Sequence, residues 1–179
     1  MEKATDRLTI LIGEQGVDRL AAAKVAVVGL GGVGGQAAEA IARSFVGSLV
    51  LVDGDKVNAS NCNRQILASA KTVGKEKALV AADRVKEINP DAEVLSQPLF
   101  VTAENVASLP IWDADCVVDA IDDVDAKVAL IKEARARGVK IVSSMGAANR
   151  FANAANALPD SRPSRPTPIS GTTRTRLAK

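Results

Sequence analysis

Residues 25–34 read Val-Ala-Val-Val-Gly-Leu-Gly-Gly-Val-Gly, an unbroken apolar run that passes directly into a GxGxxG sequence. A short β-branched run without polar alternation is a strand buried on both faces. Both faces are covered mainly where helices flank a parallel sheet. Glycines between such a strand and a helix let the backbone turn sharply and come close to a phosphate. The phosphate then meets the free N–H groups and partial positive charge of the helix N-terminus. Gly29, Gly31 and Gly34 supply this fingerprint, and Gly32 and Gly35 loosen the turn further. A purely structural glycine turn is the weaker explanation of the same spacing.

The rest of the chain repeats the strand-then-helix theme. Residues 5–22 read as one or two short helices, broken near Gly13 and Gly16. A helix opens near Val33, with Val33, Ala37, Ala40 and Ile41 on one face. A second strand covers 49–52. A helix from Lys75 to about Asn89 places Leu79, Ala82, Val85 and Ile88 in register, and Pro90 stops it. Further strands are expected at 93–96, 116–118 and 140–143. A short helix is expected at 102–109, and another at 124–137 capped by Gly138. This alternation predicts an α/β, Rossmann-like fold: an open, mainly parallel sheet with helices on both faces. Residues 1–150 form that unit. The composition changes after Gly146, and residues 151–179 read as an irregular basic tail, extended or poorly ordered. Arg162, Arg165, Arg174, Arg176 and Lys179 within it are able to touch RNA phosphates, although a solvated tail explains them more simply.

Composition narrows the chemistry. Aromatic residues are 2% of the 179, so Val, Ala, Leu and Ile must build the core. The formal net charge of +2 does not by itself call for a nucleic-acid partner. There is no histidine, which excludes Ser-His triads and histidine bases or metal ligands from this chain. The two cysteines, Cys62 and Cys116, form no CxxC pair, so a zinc site is not expected. Cys116 reads as a buried strand residue and Cys62 as a small loop filler. No apolar run is long enough to span a bilayer and the N-terminus lacks a secretory signal, so a cytoplasmic protein is the default.

Asp53 falls at the end of the second strand, where a carboxylate accepts both ribose hydroxyls of a nucleotide. The elbow and Asp53 do not choose between NAD and ATP; the following loop does. It adds Asp55, Asn61, Arg64 and Gln65, and Lys77 opens the next helix. Two cations near a triphosphate neutralise its oxygens during nucleotidyl transfer, and a nicotinamide ring has no such need. Taken singly, Arg64 is a surface ion pair and Lys77 a solvated helix residue. Behind a GxGxxG elbow the set reads as a phosphate site. Asp122 stands past the fourth strand, at the sheet edge where ligands bind. There a carboxylate can hold magnesium against phosphates. Its bland role is as N-cap of the next helix, which Asp123 can fill instead.

These motifs, in the order GLGGVG, DGDKVNASNCNRQ, VGKEKA, INP and DAID, resemble the ubiquitin-activating-enzyme-like superfamily. That superfamily includes the adenylating enzymes of thiamin and molybdopterin synthesis. NCNRQ, DAIDDVDAK and SMGAANR resemble its tRNA threonylcarbamoyladenosine dehydratase branch, over roughly residues 7–150. The resemblance implies that ATP and Mg2+ are bound, with Asp53 on the ribose and Asn61, Arg64 and Lys77 on the phosphates. It implies that Asp122 holds magnesium. Arg7 matches an arginine that relatives insert into a partner subunit's ATP site, which implies a homodimer. It further implies adenylation of the threonylcarbamoyladenosine carboxylate in tRNA, then cyclisation with net loss of water. The first step suits a chain without histidine, because the attacking group is already an anion.

Members of that branch run well beyond Lys179, and FANAANALPD stands where an Asp-Pro-containing stretch is expected. The chain therefore reads as a shortened member that still binds ATP. Other readings stay open. One is an adenylating enzyme for a ubiquitin-like sulfur-carrier protein, with a sulfur-transfer partner. Another is an NAD-dependent oxidoreductase, and a third a catalytically incomplete nucleotide-binding protein.

Overall fold

The computed structural model describes residues 3–144. The tail expected at 151–179, and SMGAANR beyond Ser144, lie outside them. The elements are α1 (Asp6–Ala22), β1 (Lys24–Val28), α2 (Gly34–Arg43), β2 (Ser48–Val52), α3 (Lys77–Ile88), β3 (Glu93–Gln97), β4 (Cys116–Asp119), α4 (Val124–Arg137) and β5 (Lys140–Ser143). All strand pairs are parallel, and the five-stranded sheet has the order β3-β2-β1-β4-β5. The chain reverses direction across the sheet between β1 and β4. Crossovers on either side of that point part and leave a crevice at the carboxyl ends of the strands.

Alternation along each strand sends side chains to opposite faces. Val27, Leu49 and Leu51 pack with Ala38, Ala42, Ala78, Ala81 and Val85 of α2 and α3. Ala26, Val28, Val50, Val52 and Val117 pack with Ile111 and Leu130 on the other face. The expected doubly covered sheet is what forms. Glu39 is buried on α2 and accepts from Arg43 at 2.6 Å and from Arg84 of α3 at 3.1 Å. The Arg84 hydrogen bond holds the Glu39 carboxyl below its ordinary value, against burial, with Arg43 adding to the effect.

Several local expectations need correction. The segment 102–109 is not an α-helix; only Val106–Ser108 makes a 3₁₀ turn. Thr102 N–H donates to Asn105 Oδ1, Asn105 N–H to Thr102 Oγ1, and Asn105 Nδ2 to the Phe100 carbonyl. Such side chain–backbone bonds compete with helix propagation. The helix expected from Lys75 begins at Lys77, because Lys75 and Glu76 instead pair with Lys56 and Val57. The faces of α2 and α3 are shifted from the expected ones: Val85 is buried and Ile41, Ala82 and Ile88 pack at the core edge as expected, but the two leading residues do not. Val33 is 52% and Leu79 47% exposed, while Gly34, Gly35, Ala38, Ala42, Ala78 and Val80 are buried. Small residues let these helices lie close to the sheet, and closeness outweighs side-chain size in choosing the buried face. In α1 the break occurs at Gly13 (φ 72°) and not at Gly16.

Candidate functional site

The elbow after β1 is anchored by packing that only glycine allows. Gly29 has φ +89°, and a β-carbon there would lie 2.8 Å from the backbone carbon of Ala120. Gly29 N–H donates to the Val52 carbonyl, and Ala120 N–H to that of Val28. Gly34 is pressed against Gly29 and Ala120. Gly31 and Gly32 differ: the nearest atoms to a β-carbon would be Gln65 Nε2 and the Arg64 carbonyl, each at 3.8 Å. Two glycines thus serve the fold, and two leave open backbone beneath the loop that carries Arg64 and Gln65. Helix α2 starts at Gly34 without a side-chain cap; its Gly35 and Ala37 N–H groups bond the Gly31 and Val33 carbonyls, and no side chain among the described residues occupies its N-terminus.

Asp53 lies at the carboxyl end of β2, beside this elbow. Its Oδ2 accepts from Leu30 N–H at 2.6 Å and its Oδ1 from Asp55 N–H at 2.7 Å. The carboxylate therefore staples the elbow to β2. Each oxygen retains a second acceptor site.

Lys77 is not the solvated cation that its position suggests. It is 4% exposed, and its Nζ donates to Asp55 Oδ2 at 2.7 Å. Its N–H also bonds the Asp55 carbonyl at 2.9 Å. The buried ammonium needs a counter-charge, and Asp55 supplies it while 54% of its side chain remains exposed. Arg64 is exposed. Its Nη1 donates to the Ser60 carbonyl and to Asn63 Oδ1, with no carboxylate partner among the described residues. Asn61 is buried and closes a capping box with Asn58, its Oδ1 accepting at 3.0 Å. Gln65 turns its Nε2 toward Gly31, while its Oε1 is buried without a partner.

Asp122 is exposed at the same carboxyl edge. The cap of α4 belongs to Asp123, whose Oδ1 accepts from Ala126 N–H at 2.7 Å. Asp122 is left for other work. The structure thus gathers the glycines, Asp53, Asp55, Asn61, Arg64, Gln65, Lys77 and Asp122 along the elbow, its covering loop and the carboxyl ends of the strands. It does not bring Arg7 into that group: Arg7 is exposed on the first half of α1 and makes no bond among the described residues. Cys62 is exposed and Cys116 partly buried, and burial pushes the Cys116 thiol up.

Sequence reading missed the pair Asp119–Lys127, whose Oδ2 and Nζ lie 2.7 Å apart with both residues buried. The only advance signal was an acid and a base on either side of a strand–helix turn. A cavity of about 530 Å³ between α1 and the starts of β2 and β3 lies at the opposite, amino ends of the strands, away from all these groups.

Comparison with known proteins gives the family. The model of the ThiF family matches residues 5–154. A tRNA threonylcarbamoyladenosine dehydratase of Bacillus subtilis is 40% identical over 173 residues, covering 97% of this chain and 68% of the relative. The corresponding protein of Escherichia coli K12 is 43% identical over 141 residues, covering 79% of this chain and 53% of its own. The crystal structure of the E. coli tRNA N6-threonylcarbamoyladenosine dehydratase in complex with ATP superimposes with a TM-score of 0.75 at 41% identity. That match covers 80% of this chain and 59% of the other. The chain thus spans about half to two thirds of the length of these relatives. The sheet order, the glycine elbow and the family match over most of the chain agree, and the chain belongs to the ThiF family.

Proposed function

We propose that this chain binds ATP at the carboxyl edge of its sheet and adenylates a carboxylate, that of threonylcarbamoyladenosine in tRNA. The observation that carries the reading is the open backbone at Gly31 and Gly32 beneath Gln65 and Arg64, with the buried Lys77 ammonium held by Asp55 of the same loop. The dehydratase function of the relatives and the ATP of the matched structure support it.

In this reading Asp53 accepts from the ribose hydroxyls, and the elbow amides meet the phosphates. Arg64 and Lys77 neutralise phosphate oxygens as charge moves onto pyrophosphate, and the amide of Asn61 donates to them. Gln65 presents its Nε2 donor beside Gly31, and Asp55 keeps the Lys77 ammonium aimed. A carboxylate oxygen of the substrate attacks the α-phosphorus, pyrophosphate leaves, and an acyl adenylate forms. The carbamoyl oxygen of the same side chain then bonds the acyl carbon, the acyl–oxygen bond to AMP breaks, and the carbamoyl N–H proton leaves to solvent; the substrate has lost the elements of water. No base from this chain is needed for the attack, since the nucleophile is already ionised.

Among the described residues no group of three or more acids, cysteines or histidines could hold a metal alone. Magnesium suits Asp122 because it commonly takes one or two carboxylates and completes its shell with phosphate oxygens and water. When bound, it supplies charge neutralisation at the phosphates. Asp53, Asp55, Asp122 and Asp123 stand against Arg64 and Lys77 at this edge, so a polyphosphate needs further positive charge.

Arg7 of a second copy is the other source in this reading. Helix α1 contributes no buried residue and exposes Ile10 and Leu11 at 79% and 80%, an apolar face suited to a homodimer. Residues 1–150 are the catalytic unit of this proposal. No helix among the described residues is long and apolar enough to cross a membrane, and the proposed site of action is the cytoplasm. The test is pyrophosphate–ATP exchange by the purified chain with threonylcarbamoyladenosine-containing tRNA. Exchange that depends on the modified tRNA supports the assignment. Preference for NAD over ATP–magnesium, or AMP transfer only to a sulfur carrier ending in Gly-Gly, overturns it.

A further inference from the structure

We propose that Lys127 is a positioning residue of the nucleotide site, acting through Asp119 on the turn that carries Asp122. Asp119 ends β4 and is 0% exposed; Lys127, in the first turn of α4, is 3% exposed. Lys127 Nζ donates to Asp119 Oδ2 at 2.7 Å, to the Ser144 carbonyl at 3.0 Å and to Ser143 Oγ at 3.3 Å. These contacts use all the ammonium protons. Ser143 Oγ donates to Asp119 Oδ2, and Ile121 N–H to Asp119 Oδ1 at 3.2 Å. Ser144 N–H donates to the Asp119 carbonyl at 2.8 Å. One buried pair thereby joins the ends of β4 and β5, the first turn of α4, and the turn from Ala120 to Asp123.

A buried ion pair adds little net stability, since desolvating two charges offsets their attraction. Its geometric effect here is larger. Ala120 and Ile121 also press on the phosphate elbow: a β-carbon on Gly29 would meet the Ala120 carbon at 2.8 Å and the Ile121 nitrogen at 2.9 Å. The turn is held between the Asp119 carboxylate on one side and the elbow on the other. Asp123 pins its far end as the α4 cap, and the exposed Asp122 side chain projects from between. With the carboxylate released, Asp122 and the elbow lose their common reference. The inference rests on the reading of Asp122 as the magnesium-holding residue.

The test compares Asp119→Asn/Lys127→Met, which removes both charges together and strands neither in the core, with Asp122→Asn. ATP binding is measured by calorimetry with and without Mg2+, and Ile121 amide exchange is followed by hydrogen–deuterium exchange. The double variant is expected to weaken ATP–magnesium binding about tenfold, leave metal-free ATP within about twofold, and speed exchange at Ile121. Ser143→Ala, which keeps both charges, is expected to move the same readings in the same direction by about threefold, and it decides the matter if the double variant does not fold. Equal weakening of both forms of ATP, or no change in either, overturns the proposal. If Asp122→Asn leaves the magnesium dependence intact while the double variant changes it, the assignment of Asp122 fails and with it the route through Asp122, and the clamp acts on the site through the elbow side of the turn. If only Asp122→Asn changes it, the clamp fails and the assignment stands. If neither changes it, both fall.

Discussion

Replacing Gly34 and Gly31 by alanine separates the glycine that the packing requires from one that the ligand requires. A β-carbon at Gly34 would stand 2.8 Å from the carbonyl carbon of Gly29, closer still to its oxygen, and 3.1 Å from Cβ of Ala120. Non-bonded carbons settle at roughly 3.5–4.0 Å, so the carbon contact alone parts α2 and the elbow by about 0.7 Å, and the nearer oxygen demands more. The obstruction is backbone tied to β2 through Gly29 N–H, so it cannot swing aside. Overpacking costs about 1–3 kcal/mol, and this case belongs near the upper end. Alanine's better helix propensity, at most about 1 kcal/mol in a helix interior, offsets little at the first helical residue. A net loss of about 2–3 kcal/mol lowers the melting temperature of a domain of this size by roughly 6–12 °C. At Gly31 the nearest atom to an added β-carbon would be 3.8 Å away, and its φ is not left-handed. Gly31→Ala should therefore melt within about 2 °C of the parent. Its methyl group intrudes where the backbone meets phosphate, and ATP–magnesium affinity should fall about tenfold, or 1.4 kcal/mol. Scanning calorimetry and titration calorimetry on both variants decide the matter. A Gly34→Ala protein that melts like the parent refutes the packing argument. A Gly31→Ala protein with full ATP affinity refutes the placement of the phosphates.

Lys77→Met removes the buried ammonium and leaves Asp55, 54% exposed at its side chain, to be solvated by water. Melting should shift by only a few degrees, while pyrophosphate exchange falls about 10²–10³-fold; undiminished exchange would assign the phosphates to Arg64 alone. Glu39→Gln tests the tie between α2 and α3. Arg84 depresses the Glu39 pKa, so its stabilisation is present above the ordinary value and lost as pH falls through the lower folded value. The Arg84 and Arg43 side chains are 40% and 56% exposed, which discounts the pair to about 1 kcal/mol. The variant should melt a few degrees lower at pH 7 and show a flatter acid limb below about pH 4.5; an unchanged limb refutes the linkage. Of the two thiols, exposed Cys62 should react with a disulfide reagent at pH 8 within minutes. Cys116, whose thiol burial pushes up, should react only on unfolding, and two fast thiols in the native protein would contradict this.

The doubly buried strands, the glycine elbow, the placement of Asp53 and the alternation of elements were legible in local chemistry and period alone. A continuous β-branched run has few places to go, and a strand–glycine–helix junction makes the same elbow wherever it occurs. Residues in the loop behind that junction group by order: Asp55, Asn61, Arg64, Gln65 and Lys77 read as one set, and Asp122 reads separately as a carboxylate at the same sheet edge. The faces of α2 and α3 were legible only in part: Val85, Ala82, Ile88 and Ile41 pack as their spacing implies, but alanines fit either side, and how closely each helix approaches the sheet decides that Val33 and Leu79 stay exposed. The 3₁₀ turn at Val106–Ser108 escaped for a similar reason: Thr102 and Asn105 spend their side chains on backbone groups that a helix would have used. Only the folded chain decides that Lys77 is buried against Asp55, that Gln65 turns to Gly31, and that Asp119 reaches both Lys127 and Ser143. Such pairings depend on the relative placement of separate elements, and sequence spacing carries no information about distances closed by a parallel crossover.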